Sequence, residues 1–245
     1  MTPLHRHPAA ALRPDPPSLA WRAWEASART RIICALTALM LTFLLVLAAW
    51  SATRPAELLY SAVVPHTAEA PMIGALADLA ILALAAGFGV MLWRARRSVG
   101  VFPLGIAAGV GVLVGYAASE SVKLLIREER PCRAVIALAE CPAVGDWSFP
   151  SNHTAIASGL AVAMFVVARR SYRWSSALVV AAAVGRVGQG AHYPHDVLAG
   201  ISMGLGLVAV TVLVGVPTIA GLVGTIGPRG ASPARSPRSD DHRPR

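Results

Sequence analysis

Long uninterrupted apolar runs constrain the fold of this chain more than any other feature of its sequence. Runs of about 20 apolar residues match the thickness of a bilayer's hydrocarbon core. Because lipid offers no hydrogen bonds, each run must satisfy its backbone polar groups internally, and the runs are too long to be barrel strands. The sequence therefore predicts an all-α integral membrane bundle of six transmembrane helices, with the spans Ile32–Trp50, Met72–Trp93, Val101–Leu125, Thr154–Ala168, Ser175–Tyr193 and Val197–Val216.

Composition supports a membrane protein and argues against a nucleic-acid partner. Hydrophobic residues make up 55% of the 245-residue chain and charged residues 14%, well below the charge content of ordinary soluble domains. The net charge of +9 comes from arginines that cluster in tails and short loops. With 6% aromatic residues, the chain lacks the stacking platforms that nucleic-acid binding requires. Membrane topology is therefore the better explanation of the positive net charge.

The distribution of arginine predicts the orientation of the six spans, because cytoplasmic segments carry an excess of Lys and Arg. Four arginine-rich regions fall on one side of the predicted bundle: residues 1–31, 94–97, 169–173 and 217–245. We assign them to the cytoplasm of a multi-pass plasma-membrane protein with both termini inside. Residues 1–31 are predicted to be a disordered tail, residues 32–216 the membrane domain, and residues 217–245 a basic tail rich in Pro, Ser and Arg.

Two of the three cysteines, Cys132 and Cys141, lie nine positions apart in one polar loop. A disulfide between them suits a loop that faces an oxidising compartment, and two incidental thiols are the alternative. Cys34 lies in the first apolar run, and no cysteine spacing resembles a zinc site.

The first polar cluster, Lys123 and Arg130 followed by Pro131, lies where the third span ends. The two cations are two helical turns apart, so they share a helix face if the helix continues, and Pro131 then prevents further regular helix. Lys123 is the only lysine of the chain, which suggests that this position requires an ammonium group. If this pair is considered alone, the simpler explanation is that both are interfacial cations whose charged ends lie near the lipid headgroups.

The second cluster, Ser151, Asn152 and His153, comes directly before the fourth span. Ser and Asn suit a helix N-cap, and a helix N-terminus offers free N–H groups and a positive dipole end to an anion. His153 is then within reach of whatever binds there. An ordinary cap beside an interfacial histidine explains the same residues.

The third cluster contains Arg186, His192 and Asp196. Arg186 interrupts an apolar span, and an arginine at such depth is costly unless it faces a polar cavity or a partner. Pro194 suits the first turn of the sixth span, which places Asp196 where it can accept a hydrogen bond from His192 and orient the imidazole. Alternatively, Arg186 marks the end of a short span and the His–Asp pair is structural.

The three clusters fall at three helix ends on one face of the membrane, the side opposite the arginine-rich loops. Cations and backbone N–H groups bind a phosphate and stabilise charge in phosphoryl transfer. A histidine oriented by a carboxylate is an activated nucleophile, and a second histidine can protonate the leaving oxygen. No carboxylate cluster indicates a metal, so the sequence predicts chemistry without a metal or another cofactor at an extracytoplasmic site.

These residues resemble the type 2 phosphatidic acid phosphatase (PAP2) family, which shares its active-site architecture with vanadium haloperoxidases. The family motifs are K-x6-RP, PSGH and SR-x5-H-x3-D. This chain has Lys123-x6-Arg130-Pro131, then Pro150-Ser151-Asn152-His153, then Gly185-Arg186-x5-His192-x3-Asp196. All three motifs occur in order and with the family's spacing, over residues 123–196.

The resemblance implies a role for each of these residues. His192 would be the nucleophile that forms a phosphohistidine, Asp196 would orient it, and His153 would be the general acid. The phosphate would be held by Lys123, Arg130 and Arg186 with help from Ser151, and Asn152 would either donate to the phosphate or crowd the pocket. The chain departs from the family at Asn152, where the family has glycine, and at Gly185, where a serine hydroxyl is lost.

The predicted function is a phosphatase, a hydrolase of phosphoric ester or anhydride bonds, that acts on a membrane lipid, with a polyprenyl diphosphate such as a cell-wall carrier as the first candidate. Phosphatidylglycerol phosphate and phosphatidate are alternatives within the same chemistry, and a lipid phosphotransferase would use the same site. A non-enzymatic protein that binds anionic lipid is a further alternative, against which the intact His153, His192 and Asp196 set argues. Embedding in the membrane argues against a haloperoxidase. The oligomeric state stays open.

Overall fold

The computed structural model of the chain describes residues 26–98 and 100–226, and every regular element in those ranges is helical. The all-α prediction is therefore confirmed. The helices are α1 (Ala28–Ser51), α2 (Thr53–Thr67), α3 (Pro71–Ala95), α4 (Val101–Ile126), α5 (Pro131–Ala134), α6 (Asn152–Val167), a 3-10 turn (Arg169–Ser171), α7 (Tyr172–Gly188) and α8 (Pro194–Ile226).

Four of the described helices, α1, α3, α4 and α8, are long and apolar enough to cross a membrane, which makes this a multi-pass membrane protein. Helices α6 and α7 have 16 and 17 residues. At a rise of about 1.5 Å per residue they reach roughly 25 Å, short of a hydrocarbon core of about 30 Å. By length, four helices are long enough to span the membrane. The other two predicted spans correspond to α6 and α7, which are shorter than the hydrocarbon core is thick.

The bounds of the last two predicted spans differ from the helices. The fifth span was expected to continue to Tyr193, but α7 ends at Gly188, and the chain turns through Gly190 at a φ of +79°. The sixth begins at Pro194 and continues to Ile226, beyond the expected end at Val216. Most of the two predicted tails, residues 1–25 and 227–245, lies outside the described residues.

Helix α2 occupies a segment for which the sequence indicated no element. Ala56, Tyr60 and Val64 recur every four residues along one face of α2 and are buried against Tyr193. The opposite face, including Leu58, is exposed. Helix α2 therefore packs onto the loop between α7 and α8, which contains His192.

Small residues let the helices around α8 approach closely. On α1 the buried residues are Ala35, Thr42 and Ala49, at heptad spacing, whereas its large aliphatic side chains face outward, as expected for a lipid-facing surface. On α8, a Cβ added at Gly200 would overlap the Ser151 carbonyl and Thr154. This close contact between α6 and α8 places the Ser151 N–H 3.0 Å from the Asp196 carbonyl oxygen, so the packing itself brings the second and third motifs together.

Candidate active site

Lys123 and Arg130 meet at one carboxylate, although they do not share a helix. Helix α4 ends at Ile126, close to the expected Leu125, and Arg127 adopts the left-handed conformation with a φ of 54°, so the helix does not continue to Arg130 and the two cations share no helix face. The loop after α4 instead brings Arg130 back. Lys123 Nζ lies 3.4 Å and Arg130 Nη2 lies 2.8 Å from Oδ1 of Asp146.

Arg130 connects this cationic pair to the predicted nucleophile. Its guanidinium is buried, with Nε donating to the Asp146 carbonyl at 2.8 Å and Nη1 to the Ala191 carbonyl at 2.9 Å. Nη1 also lies 3.1 Å from Nε2 of His192. Since a guanidinium nitrogen is only a donor, Nε2 of His192 is the acceptor, with its lone pair directed toward the cations.

The other ring nitrogen of His192 is held by Asp196, as the sequence predicted. Nδ1 lies 3.3 Å from Oδ2 of Asp196, which also accepts the Tyr193 N–H at 2.8 Å and the hydroxyl of Ser148. Burial, and next the positive charge of Arg130, lower the pKa of His192 well below its ordinary value. The imidazole is therefore neutral at pH 7, with a proton on Nδ1 and an unprotonated Nε2 that accepts from Arg130.

His153 lies on a more open side of the site. Its Nε2 is 3.5 Å from Oδ1 of Asp78 in α3, and the two side chains are 37% and 63% exposed. His153 is near enough to His192 to affect that residue electrostatically. A histidine in this position can exchange protons with both a bound molecule and solvent.

Ser151 and Asn152, adjacent in the chain, have different surroundings. The Ser151 hydroxyl is buried and has no hydrogen-bond partner among the described residues, which suits a group that contacts a bound phosphate. The Asn152 amide is instead bound to α4, accepting from the Ser119 hydroxyl at 2.6 Å and donating to Glu120. The structure therefore does not bring Asn152 together with the cations.

Arg186 is buried near the end of α7, and its Nε has no hydrogen-bond partner within the described part of the chain. Like Lys123 and Arg130, it acts electrostatically on His192. The preceding Gly185 faces α3, where an added Cβ would lie 2.9 Å from the Ala77 nitrogen. Close packing of α7 on α3 therefore explains the glycine at this position.

The loop between α4 and α6 contains a disulfide between Cys132 and Cys141, whose Cα atoms are 5.7 Å apart. Arg133 adds contacts to Glu129 and to the Pro142 carbonyl. These links close the loop on itself immediately after Arg130.

Comparison with known proteins shows which family this arrangement resembles. Residues 103–218 match the model described as the PAP2 superfamily, and this range contains every predicted site residue. Over these residues the chain is similar to the PAP2 superfamily. The family resemblance seen in the three motifs is thereby confirmed.

The PAP2 segment also has curated relatives. The chain is 32% identical over 111 residues to decaprenylphosphoryl-5-phosphoribose phosphatase of Mycobacterium tuberculosis, in strains CDC 1551 / Oshkosh and ATCC 25618 / H37Rv. The alignment covers 45% of this chain and 60% of that protein. Among solved structures, a transmembrane PAP2-type phosphatidylglycerolphosphate phosphatase from Bacillus subtilis aligns with a TM-score of 0.49 at 19% identity, over 80% of this chain and 98% of that one.

Several residues of the PAP2 site were missed by sequence reasoning. Asp146 and Ser148 contact the cations and Asp196, and the only signal was their place just before the second motif. From α2, the Tyr60 hydroxyl donates to the Gly190 carbonyl at 3.1 Å and the Thr67 hydroxyl to the Gly188 carbonyl at 2.8 Å. These two bonds hold the loop before His192, and nothing in the sequence indicated them.

One trio of side chains in the described ranges, Glu128, His195 and Asp196, has the composition of a metal-ligand set, with one atom from each lying within 4.8 Å of the others. The polar atoms of these three side chains are already in contact with one another. His195 Nε2 lies 3.2 Å from both Glu128 carboxylate oxygens and 3.2 Å from Oδ1 of Asp196. We therefore describe the trio as an ion-pair cluster behind the nucleophile.

Proposed function

We propose that this chain is a membrane lipid phosphatase that hydrolyses a terminal phosphate through a phosphohistidine on His192, at the extracytoplasmic face. The observation that carries the proposal is the position of His192. Its Nε2 lies 3.1 Å from the Arg130 guanidinium, while Nδ1 lies against a buried carboxylate. A nucleophile with its lone pair facing a cation is arranged to attack an anion bound to that cation.

The cationic pair supports phosphate binding. One oxygen of Asp146 bridges Lys123 and Arg130, which demonstrates that a single anionic oxygen fits between them. The Asp146 carboxylate is 48% exposed, so solvent reaches the anion whose place a substrate phosphate would take. Charge-assisted hydrogen bonds from these two groups, together with Arg186, would then bind the phosphate oxygens.

The chemistry follows in two balanced steps. In the first, Nε2 of His192 attacks phosphorus, the bond from phosphorus to the lipid oxygen breaks, and His153 donates its proton to that oxygen. In the second, His153 removes a proton from water, the water oxygen attacks phosphorus, and the bond to Nε2 breaks. The products are inorganic phosphate and the dephosphorylated lipid, which is an alcohol from a phosphate ester and a monophosphate from a diphosphate, and Asp196 holds the imidazole throughout.

Two features support an extracytoplasmic site. Disulfides persist in oxidising compartments, and the Cys132–Cys141 bridge lies in the loop that contains Arg130. The arginine-rich turns after α3 and α6 lie at the opposite helix ends, where the excess of positive charge indicates the cytoplasm. If α6 and α7 are counted as spans, the bundle has six spans. The shortness of these two helices fits a site that is recessed below the membrane surface.

The Mycobacterium tuberculosis relative favours a polyprenyl-linked substrate. Its name specifies a decaprenyl lipid that bears a phosphoribose, and this lipid ends in a phosphate ester. We therefore infer a polyprenyl carrier with a terminal phosphate as the substrate class, which includes the polyprenyl diphosphate expected from the sequence. Phosphatidylglycerol phosphate and phosphatidate place the same group on a diacylglycerol tail, and a phosphotransferase would differ only in the acceptor.

The test is phosphate release by the full chain, purified in detergent with EDTA present. Decaprenylphosphoryl-5-phosphoribose, a polyprenyl diphosphate and phosphatidate are compared at equal surface concentration. His192→Ala is the inactive variant, and His66→Ala, at an exposed histidine of α2, is the matched control.

We expect wild type and His66→Ala to release phosphate from a polyprenyl lipid faster than from phosphatidate, and His192→Ala to release none. Faster release from phosphatidate would contradict the polyprenyl assignment while keeping the chemistry. No release from any lipid, with or without an added alcohol acceptor, would contradict the phosphatase itself.

A further inference from the structure

Behind the nucleophile lies a second histidine, His195, that neither the motifs nor the mechanism uses. Its side chain is fully buried and stacks with the rings of Phe149 and Tyr193, whose centroids lie 5.7 Å and 5.3 Å from its own. Both rings are close to parallel with the imidazole, at 29° and 19°. The orientation of His195 is therefore fixed by packing against two aromatic rings.

The fixed ring directs Nε2 at two carboxylates. Both oxygens of Glu128 and one oxygen of Asp196 lie 3.2 Å from it. Carboxylate oxygens only accept hydrogen bonds, so Nε2 must carry a proton, because a bare lone pair would face three acceptors. Glu57 of α2 adds further negative potential around the ring.

Asp196 divides its two oxygens between the two histidines. Oδ2 is used by His192, Ser148 and the Tyr193 backbone, whereas Oδ1 has no hydrogen bond of ordinary geometry within the described residues and lies 3.2 Å from Nε2 of His195. A buried carboxylate stays ionised only if positive charge or hydrogen bonds compensate its desolvation. On the side of Oδ1, His195 is the group that supplies this compensation.

We propose that His195 and Glu128 are positioning residues for the nucleophile, which they hold through Asp196. His195 is an imidazolium bridging the two carboxylates, whose negative charge favours the second proton although Nδ1 has no hydrogen-bond partner among the described residues. The chain His192–Asp196–His195–Glu128 then forms one relay that keeps Asp196 charged and fixed. This inference rests on the proposed function, since it assigns His192 as the attacking group. Glu128, with 14% of its side chain exposed, is the end of the relay nearest to solvent.

The kinetic test uses His195→Gln and Glu128→Gln with a soluble phosphate monoester, p-nitrophenyl phosphate, so that the identity of the lipid does not matter. Glu140→Gln, at an exposed residue of the same loop, is the matched control. We expect each variant to lower kcat about 10- to 100-fold, as losses of groups that orient a functional histidine do. KM and the inhibition constant of inorganic phosphate should change less than about threefold, because the cations are untouched.

Coupling between the two residues distinguishes a relay from two separate structural defects. The double variant should lose little more than the worse single variant, because residues that act as a unit are not additive. Equal kcat in His195→Gln, Glu128→Gln and Glu140→Gln would overturn the proposal. So would fully additive losses, or a change confined to KM. Loss of wild-type activity in EDTA with recovery in a divalent cation would make the cluster a metal site and overturn the bridge as well.

A spectroscopic measurement separates this inference from the proposed function. In the nitrogen-15 spectrum of the seven histidines, the signals lost in His195→Gln identify its ring. We expect both of its nitrogens to be protonated from about pH 6 to 8 in wild type, and this state to disappear in Glu128→Gln. A neutral His195 in wild type would overturn the bridge. If the spectrum is as expected but no substrate releases phosphate, the proposed function fails and the bridge stands.

Discussion

Two histidines of the site are each paired with a carboxylate, and the two pairs are built differently. His192 and Asp196 have side chains that are 1% and 0% exposed, and Asp196 receives three further polar contacts. His153 and Asp78 are 37% and 63% exposed and lie 3.5 Å apart, on helices α6 and α3. One pair is fixed in the protein interior, and the other is open to its surroundings.

The difference corresponds to what each histidine must do. A nucleophile reacts from one geometry, so every contact that fixes its ring lowers the cost of reaching the transition state. A general acid must meet the leaving oxygen and then exchange its proton with water, which requires access. The comparison therefore predicts that the same Asp→Asn substitution has very different effects in the two pairs.

Asp196→Asn should have the largest effect in this series. The amide nearly preserves the shape but removes the charge that holds the Nδ1 proton of His192, and the corresponding change in a Ser-His-Asp triad costs about 10⁴-fold in kcat. We expect a loss of about 10³- to 10⁴-fold in phosphate release, measured at saturating substrate. A loss below tenfold would mean that Asp196 is structural.

His153→Asn should cost about 10²- to 10³-fold with a lipid substrate, the usual contribution of a general acid. With p-nitrophenyl phosphate, whose leaving group needs no proton, the loss in the first step should nearly vanish. The measurement is the ratio of burst rates for the two substrates, with His66→Asn as the control. Equal losses with both substrates would exclude His153 as the acid.

Asp78→Asn should cost at most about fivefold, because exposed ion pairs contribute about 1 kcal/mol or less. The measurement is kcat with a lipid substrate, beside Asp196→Asn. If the two variants were equally impaired, the contrast between a fixed pair and an open pair would be wrong.

Asp146→Asn should have the smallest effect on turnover and should strengthen inhibition by inorganic phosphate about threefold to tenfold, since it removes an anion from the two cations. Burial alone would raise the pKa of Asp146, but its bond to Arg130 and the charges of Arg130 and Lys123 outweigh this, and the pKa lies below its ordinary value. The carboxylate is therefore charged from about pH 5 to 8. The increase in phosphate inhibition caused by Asp146→Asn should be constant over that range. With Glu140→Gln as control, weaker inhibition would show that Asp146 organises the cations instead of competing for them.

The sequence predicted the parts of this site whose positions follow from local geometry. The apolar runs indicated the long helices, and the spacing of His192 and Asp196 across the start of α8 placed them within contact. The polar residues that interrupt or border spans, such as Arg186, were recognisable because such residues are costly in lipid.

The rest depends on packing between distant segments. The bonds from Tyr60 and Thr67 span 130 and 121 positions, and no periodicity encodes such a partner. Helix α4 ends within one residue of the expected Leu125, but nothing in the sequence indicated that Arg127, which lacks glycine's freedom, makes the left-handed turn that brings Arg130 back to Lys123. Asn152 faces Ser119 and Glu120 because α6 packs against α4, which only the assembled bundle reveals.

The most direct test of the central claim is to trap the phosphoenzyme. The full chain is mixed with a substrate carrying labelled terminal phosphate, quenched in alkali within the first turnover, and digested for mass spectrometry. We predict label on the peptide that contains His192, and more of it in His153→Asn with p-nitrophenyl phosphate, where attack by water is slowed more than formation of the intermediate. Turnover without any labelled histidine, or label on a residue other than His192, would contradict the account.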